Sequence, residues 1–246
     1  EKLRRFCDKG GKVLATGKSA LYTDKNEFCL DLGARWIEEN QYKPDYFRPL
    51  GKIAGMGDTD YVMYSSGEKV QCIGTELGTR ENPYFNRTWE HFCSHQHTPC
   101  SGEYGGGGMT EGKDGIYIAW NIFDDYAETG GIHLKQMTVF ALDRLLGDGK
   151  TLITNLPAQG ITTLMRQGDR LICHLLYASP VKRGRDTEII EDIIPVYNTD
   201  LKIKTDMEIS RVYLAPQNKD IDFQYEDGFV SVCIEEIECH QMVVLE

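Results

Sequence analysis

The hydrophobic pattern changes character at Gly147-Asp148-Gly149. Before it, apolar residues recur both at helical spacing and in short strand-like runs. After it only brief Val- and Ile-rich segments remain, at 170–178, 189–197, 201–204, 211–214, 221–225, 229–234 and 241–245, separated by turn residues. Helical and alternating stretches bury different faces, so the two halves call for different layer architectures. The pattern predicts a boundary near 150, with an α/β domain over residues 1–150 and an all-β sandwich domain over 151–246.

Within the first half, Leu3, Phe6 and Cys7 share one face of a predicted helix over 1–9 that stops at Gly10-Gly11. The apolar run Lys12–Gly17 then reads as a strand, one helix-to-strand step of a parallel sheet. Phe28, Leu32 and Trp36 predict a helix over 28–39, and strands are expected at 61–64, 70–73 and 115–120. A long loop is expected over 76–114, made flexible by Gly105–Gly108, and a strong helix over 132–146.

A hydrophobic fraction of 41% with 26% charged residues places the chain among globular proteins. No apolar run approaches the ~18–20 residues that cross a bilayer, so no membrane partner is expected. A net charge of −11, with Lys and Arg scattered, argues against nucleic acid as a partner, because phosphate contacts need a basic face. The eight cysteines sit mostly singly inside apolar patterns, as reduced thiols do, which favours a cytoplasmic setting. The chain opens at Glu1 inside a helical pattern and reads as a piece of something longer, and the sequon Asn86-Arg87-Thr88 matters only if the protein is secreted.

The segment FNRTWEHFCSHQHTPC, residues 85–100, holds three of the six histidines, His91, His95 and His97, together with Arg87, Trp89, Cys93 and Cys100. A loop that only connects two elements has no use for such side chains, so this is the candidate site. Imidazole and thiolate are zinc ligands, but the spacing matches no standard finger or HExxH pattern, and substrate-contacting histidines are the favoured reading over a metal site. Cys93 or Cys100 beside a histidine would make a nucleophile pair, yet no strand-to-helix elbow precedes either. Gly17-Lys18-Ser19 ends like a phosphate-binding loop, but position 12, where the glycine that wraps the phosphates should stand, is Lys12. Asp124, Asp125 and Glu128 read as charges matching the dipole of a following helix, and His174 as a satisfied strand histidine. His133 and His240 carry no partner signal.

EKLRRFCDKGGKVLATGKSALY at Glu1–Tyr22, then FNRTWEHFCSHQHTP, GIYIAWNIFDDYAETG, ALDRLL, RLICHLLYASPVKRG, EIIEDIIPVYN, RVYLAP and GFVSVCIEEIECHQMVVLE follow in an order that covers most of the chain. In this order the chain resembles the β-galactosidase trimerisation domain, a glutamine-amidotransferase-like α/β module of certain glycoside hydrolases, followed by their small C-terminal β-sandwich. The resemblance implies a flavodoxin- or amidotransferase-like parallel sheet whose first strands are missing ahead of Glu1. It also implies a full-length enzyme whose catalytic (β/α)8 barrel precedes this chain. The amidotransferase cysteine is replaced by Gly17-Lys18-Ser19-Ala20, so glutaminase chemistry is not expected.

An eight-stranded barrel needs about 200 residues or more, and no pair of carboxylates at strand ends stands out, so no catalytic residue is assigned here. The leading expectation is a non-catalytic portion of a β-galactosidase- or α-L-fucosidase-like enzyme that serves oligomer assembly and shapes the active-site mouth. It needs no cofactor and no metal, and its partners are a carbohydrate substrate, its own barrel and further copies of itself. Arg87, Trp89, His91, His95 and His97 are the substrate-contact candidates. Two rivals are a carbohydrate-binding module using Tyr84, Trp89 and Trp120 as stacking faces with Arg87, and a metal-dependent hydrolase centred on the three histidines.

Overall fold

Helix α1 (Lys2–Asp8) ends where Gly10-Gly11 predicts, with the amides of Gly10 and Gly11 closing on the carbonyls of Cys7 and Phe6 before strand β1 (Val13–Thr16). The computed structural model describes residues 1–22 and 24–246, which form two units, Glu1–Gly147 and Asp148–Glu246.

The first unit continues with β2 (Ala34–Glu39), β3 (Asp45–Pro49), β4 (Tyr61–Met63), β5 (Glu68–Cys72), β6 (Thr75–Pro83), β7 (Cys100–Glu111) and β8 (Gly115–Ile118), then helices α2 (Ile122–Thr129) and α3 (Ile132–Leu146). Six strands form one sheet in the order β1-β8-β7-β6-β3-β4, and β2 pairs with β5 separately. Among the described residues only β1 and β8 pair in parallel; the other strand pairs of this unit are antiparallel. The parallel, flavodoxin-like sheet expected for residues 1–150 is thus corrected to a mixed sheet that is mainly antiparallel. The strand β8 is buried at all four positions, as a short unbroken apolar run between covered faces should be. Its Ile116, Tyr117 and Ile118 pack in one core with Phe47, Met109, Trp120 and, from α3, Leu134, Met137 and Ala141.

Two further expectations fail for stated reasons. The helix over 28–39 is absent: Phe28, Leu32 and Trp36 are four apart, a multiple of two as well as nearly one helical turn, and the chain takes the extended solution. Gly33, at φ +71, interrupts any helix there, and Ala34 begins β2. The long loop over 76–114 is mostly hairpin, with β6 and β7 paired through four register shifts. Gly105–Gly108 lie inside β7 rather than in a flexible linker. A β-carbon at Gly106 would stand 2.7 Å from the Val70 carbonyl oxygen, and one at Gly108 2.6 Å from that of Thr79, so these glycines admit neighbouring backbone.

The second unit is all β, with strands β9 (Leu152–Thr154), β10 (Ile161–Gln167), β11 (Arg170–Leu176), β12 (Val181–Arg183), β13 (Thr187–Ile189), β14 (Val196–Lys204), β15 (Val212–Ala215), β16 (Lys219–Asp220), β17 (Phe223–Glu226), β18 (Phe229–Ile237) and β19 (His240–Leu245). Two antiparallel sheets, β10-β11-β19-β15-β16 and β17-β18-β14-β9, face a single core. Leu175, Val243 and Leu214 of the first meet Leu201, Ile203 and Val232 of the second. Alternation sets this up: along β14, Thr199, Leu201 and Ile203 are buried while the residues between them are exposed.

One charged cluster lies within the first core. Asp45, wholly buried, accepts hydrogen bonds from Trp120 Nε1 at 2.6 Å and Asn40 Nδ2 at 2.6 Å, and faces Arg80 Nη1 at 3.5 Å. Burial pushes its carboxyl up to about 7 against the opposing pull of the Arg80 charge. The folded protein therefore binds this proton more tightly than the unfolded chain. The stability it contributes is complete below the ordinary carboxylate pKa near 4, is lost as pH rises to about 7, and stays lost above that. Melting temperatures measured from pH 4 to pH 8 should show a fall over that window in the wild type that Asp45→Asn removes. Arg80→Leu, which strands the carboxylate, should cost about 3–5 kcal/mol by urea denaturation at pH 8.

Candidate functional site

The segment rich in histidine is the connection between β6 and β7, residues 84–99, and its two feet are fixed from below. Tyr46 Oη donates to the Thr98 carbonyl, Thr98 Oγ1 donates to the Phe85 carbonyl at 2.7 Å, and the Tyr84 amide donates to the Pro99 carbonyl at 3.3 Å. Asn86 uses its whole amide: Nδ2 donates to the Gln41 carbonyl at 2.7 Å and Oδ1 accepts from the Lys43 amide at 3.0 Å. The residue of the formal sequon is therefore a clamp between two segments.

Higher in the loop, the Thr88 amide donates to the His91 carbonyl at 2.7 Å and the His91 amide to Thr88 Oγ1 at 3.1 Å, a closed turn. That turn lifts Trp89 to 88% exposure, with Tyr84 and Phe92 also exposed. Arg87 Nη1 donates to the Gln96 carbonyl at 3.0 Å, leaving the rest of its guanidinium fork at the surface. His91 is exposed with its ring 6.2 Å from that of Phe85, and His95 is exposed, its carbonyl accepting from Cys93 Sγ at 3.4 Å. His97 behaves differently. It is partly buried between Tyr46 and Tyr64, at ring distances of 6.4 and 5.7 Å, and its Nδ1 is buried without a partner.

The structure therefore displays Arg87, Trp89, His91 and His95 on one loop and withdraws His97 to its base. The three histidines do not form a metal-ligand group. Among the described residues, the side chains that converge as ligands do are Asp60, Glu81 and Cys100, within 4.8 Å of one another. Cys100 is a poor nucleophile, because burial, aided by the Asp60 and Glu81 charges, pushes its thiol up to about 11. Trp120 is corrected outright as a stacking face, since it is fully buried and bonded to Asp45.

Most of the remaining sequence candidates have structural partners. Lys18 pairs with Glu39, and Tyr117 Oη donates to the Gly17 carbonyl at 2.8 Å. Asp125 is buried, receiving the amides of Tyr64 and Ser65 at 3.0 and 3.1 Å, so it ties the end of β4 to α2. Asp124 lies exposed in the first turn of that same helix, as Asp125 lies buried there, and Glu128 is exposed near its end, so these acidic residues belong to α2 itself rather than to the approach to α3. His133 bonds the Val62 carbonyl at 3.1 Å and stacks on Tyr61, and His174 meets His240 at 3.0 Å. Sequence reasoning missed the buried pair of Asp45 and Arg80 altogether.

No protein-family model and no curated protein matches the chain. Among solved structures, α-L-fucosidase isoenzyme 2 from Paenibacillus thiaminolyticus is 51% identical over 100% of this chain, with a TM-score of 0.96. Along its whole length the chain is similar to part of this glycoside hydrolase. It spans 38% of that fucosidase's length. β-Galactosidases from Bacillus circulans sp. alkalophilus and Rahnella sp. R3 share its fold at 12% and 13% identity, with TM-scores of 0.54 and 0.50. They are covered to 30% and 29% of their own length, while 99% and 98% of this chain is matched.

Because His97 is enclosed and His95 is not, His97→Ala should lower the melting temperature of the chain, through a cavity between two tyrosines, whereas His95→Ala should leave it within about 1 °C. Differential scanning calorimetry of both variants checks this contrast.

Proposed function

We propose that this chain is the non-catalytic, C-terminal portion of a glycoside hydrolase acting on α-L-fucosides or β-galactosides, which assembles the enzyme and shapes the mouth of its active site. The observation that carries the reading is the unbroken likeness to the fucosidase along the whole chain, with most of that enzyme's length lying outside it. The likeness to β-galactosidases supports a trimerisation-type first unit, and with it a closed homo-oligomer. All eight cysteines are free thiols, which supports a reducing cytoplasmic setting.

The loop over 84–99 supplies the mouth. Its backbone is clamped at both feet while Trp89, Arg87, His91 and His95 project, a rigid base under side chains suited to sugars. An indole stacks on the apolar face of a sugar ring, and guanidinium and imidazole groups bond hydroxyls. In this reading they bind and orient, and the proton transfers belong to carboxylates of the barrel. The exposure of Trp89 also suits the rival reading of a carbohydrate-binding module, which requires saturable sugar binding by this loop in the isolated chain.

In the full-length enzyme, Trp89→Ala or His95→Ala should lower kcat/KM on nitrophenyl fucoside or galactoside by about 10- to 100-fold without changing the melting temperature. Unchanged kcat/KM in both variants would remove the loop from substrate recognition. The isolated chain should show no turnover on either substrate. Light scattering of the full-length protein should give a closed oligomer, and a strict monomer at working concentration would count against the assembly role.

A further inference from the structure

Next to the foot of that loop, where Asn86 holds the carbonyl of Gln41, the first unit has a cavity of about 310 Å3, at the small end of the range for ligand pockets. Its lining includes Asn40, Tyr42, Arg80, Asn82, Glu103 and Tyr104. Arg80 is 1% exposed; Nη2 donates to the Gly105 carbonyl, Nη1 faces Asp45, and Nε has no partner. That nitrogen is closed to a water-sized atom, so Arg80 fixes the wall of the cavity from behind rather than bonding what enters it.

The other groups define what the cavity can hold. Lys69 is paired with Glu38 at 2.7 Å, and Glu103 sets a carboxylate in the lining with Arg80, so the cavity does not favour an anion. Amides at Asn40 and Asn82 and the carboxylate of Glu103 suit hydroxyl groups, which both donate and accept. The rings of Tyr42 and Tyr104 offer flat faces for an aliphatic ring. Gly105 keeps the floor open, because a β-carbon there would collide with Asn82 and stand 3.0 Å from Arg80 Nη2.

We propose that this cavity binds one neutral polyhydroxylated ring of monosaccharide size, with Asn82 and Glu103 as hydroxyl partners and the rings of Tyr42 and Tyr104 as its apolar sides. The site would hold a sugar at a fixed place on the first unit, whether or not the β6–β7 loop also contacts substrate. Its test needs no catalytic assay, so it stands or falls separately from the proposed enzyme.

The experiment is calorimetric titration of the 246-residue chain with L-fucose, D-galactose and D-glucose, joined by saturation-transfer NMR. Saturable binding of at least one sugar is expected, weakened at least tenfold in the double variant Asn82→Ala, Glu103→Ala and unchanged in Trp89→Ala. Tyr42→Ala, which removes a stacking face on a different segment, should weaken binding as well and serves if the double variant does not fold. The proposal is overturned if none of the three sugars saturates, if the cavity variants bind as wild type does, if Trp89→Ala abolishes binding, or if glucuronate binds while the neutral sugars do not.

Discussion

A carboxylate and a guanidinium shut away from water hold the first unit in register. Asp45 lies on β3 and Arg80 on the adjacent β6; through Trp120 the carboxylate reaches the chain just before α2, and through Gly105 the guanidinium reaches β7. A buried ion pair of this kind contributes little net stability against an apolar replacement, but any packing that separates its members leaves a charge stranded. The pair therefore selects among arrangements of the sheet rather than simply strengthening one. The β6–β7 hairpin, with its four register shifts, is the element that most needs such selection.

Much of the second unit was readable because its strands bury one face, and period-two alternation is then printed in the residues, as along β14. The helix over 132–146 was equally readable, since fifteen residues give several turns of one apolar stripe. The first unit was harder for three physical reasons. A spacing of four satisfies both periods, which turned the approach to β2 into a helix on paper. Glycine carries no pattern at all, so β7 looked like linker. And a resemblance to a parallel-sheet family predicts the commonest layout of that family, whereas this sheet keeps one parallel pair, β1 with β8.

The candidate loop announced itself by composition, because His, Trp and Arg crowd a stretch where no core is built. What composition concealed was the division of labour inside it. His95 and His97 are two residues apart and chemically alike, yet one faces solvent while the other is wedged between Tyr46 and Tyr64. Only the partners contributed by β3 and the chain after β4, far away in sequence, distinguish them. Asp45 and Arg80 were invisible for the same reason: each is a single charged residue in an ordinary-looking run, and their meaning arises from meeting across two strands.

The glycine run of β7 carries a consequence for how such a protein can change over time. With no side chains of its own from 105 to 108, this part of the strand takes its shape from the atoms pressed against it on neighbouring strands. Insertions or exchanges at the crest of the adjoining loop leave those contacts untouched, while an added carbon must push aside backbone at Gly106 or Gly108 and a neighbouring side chain at Gly105 or Gly107. Variation is thus channelled to the crest, where Trp89 stands in solvent, and a lineage can try new surface chemistry there without renegotiating the sheet that carries it.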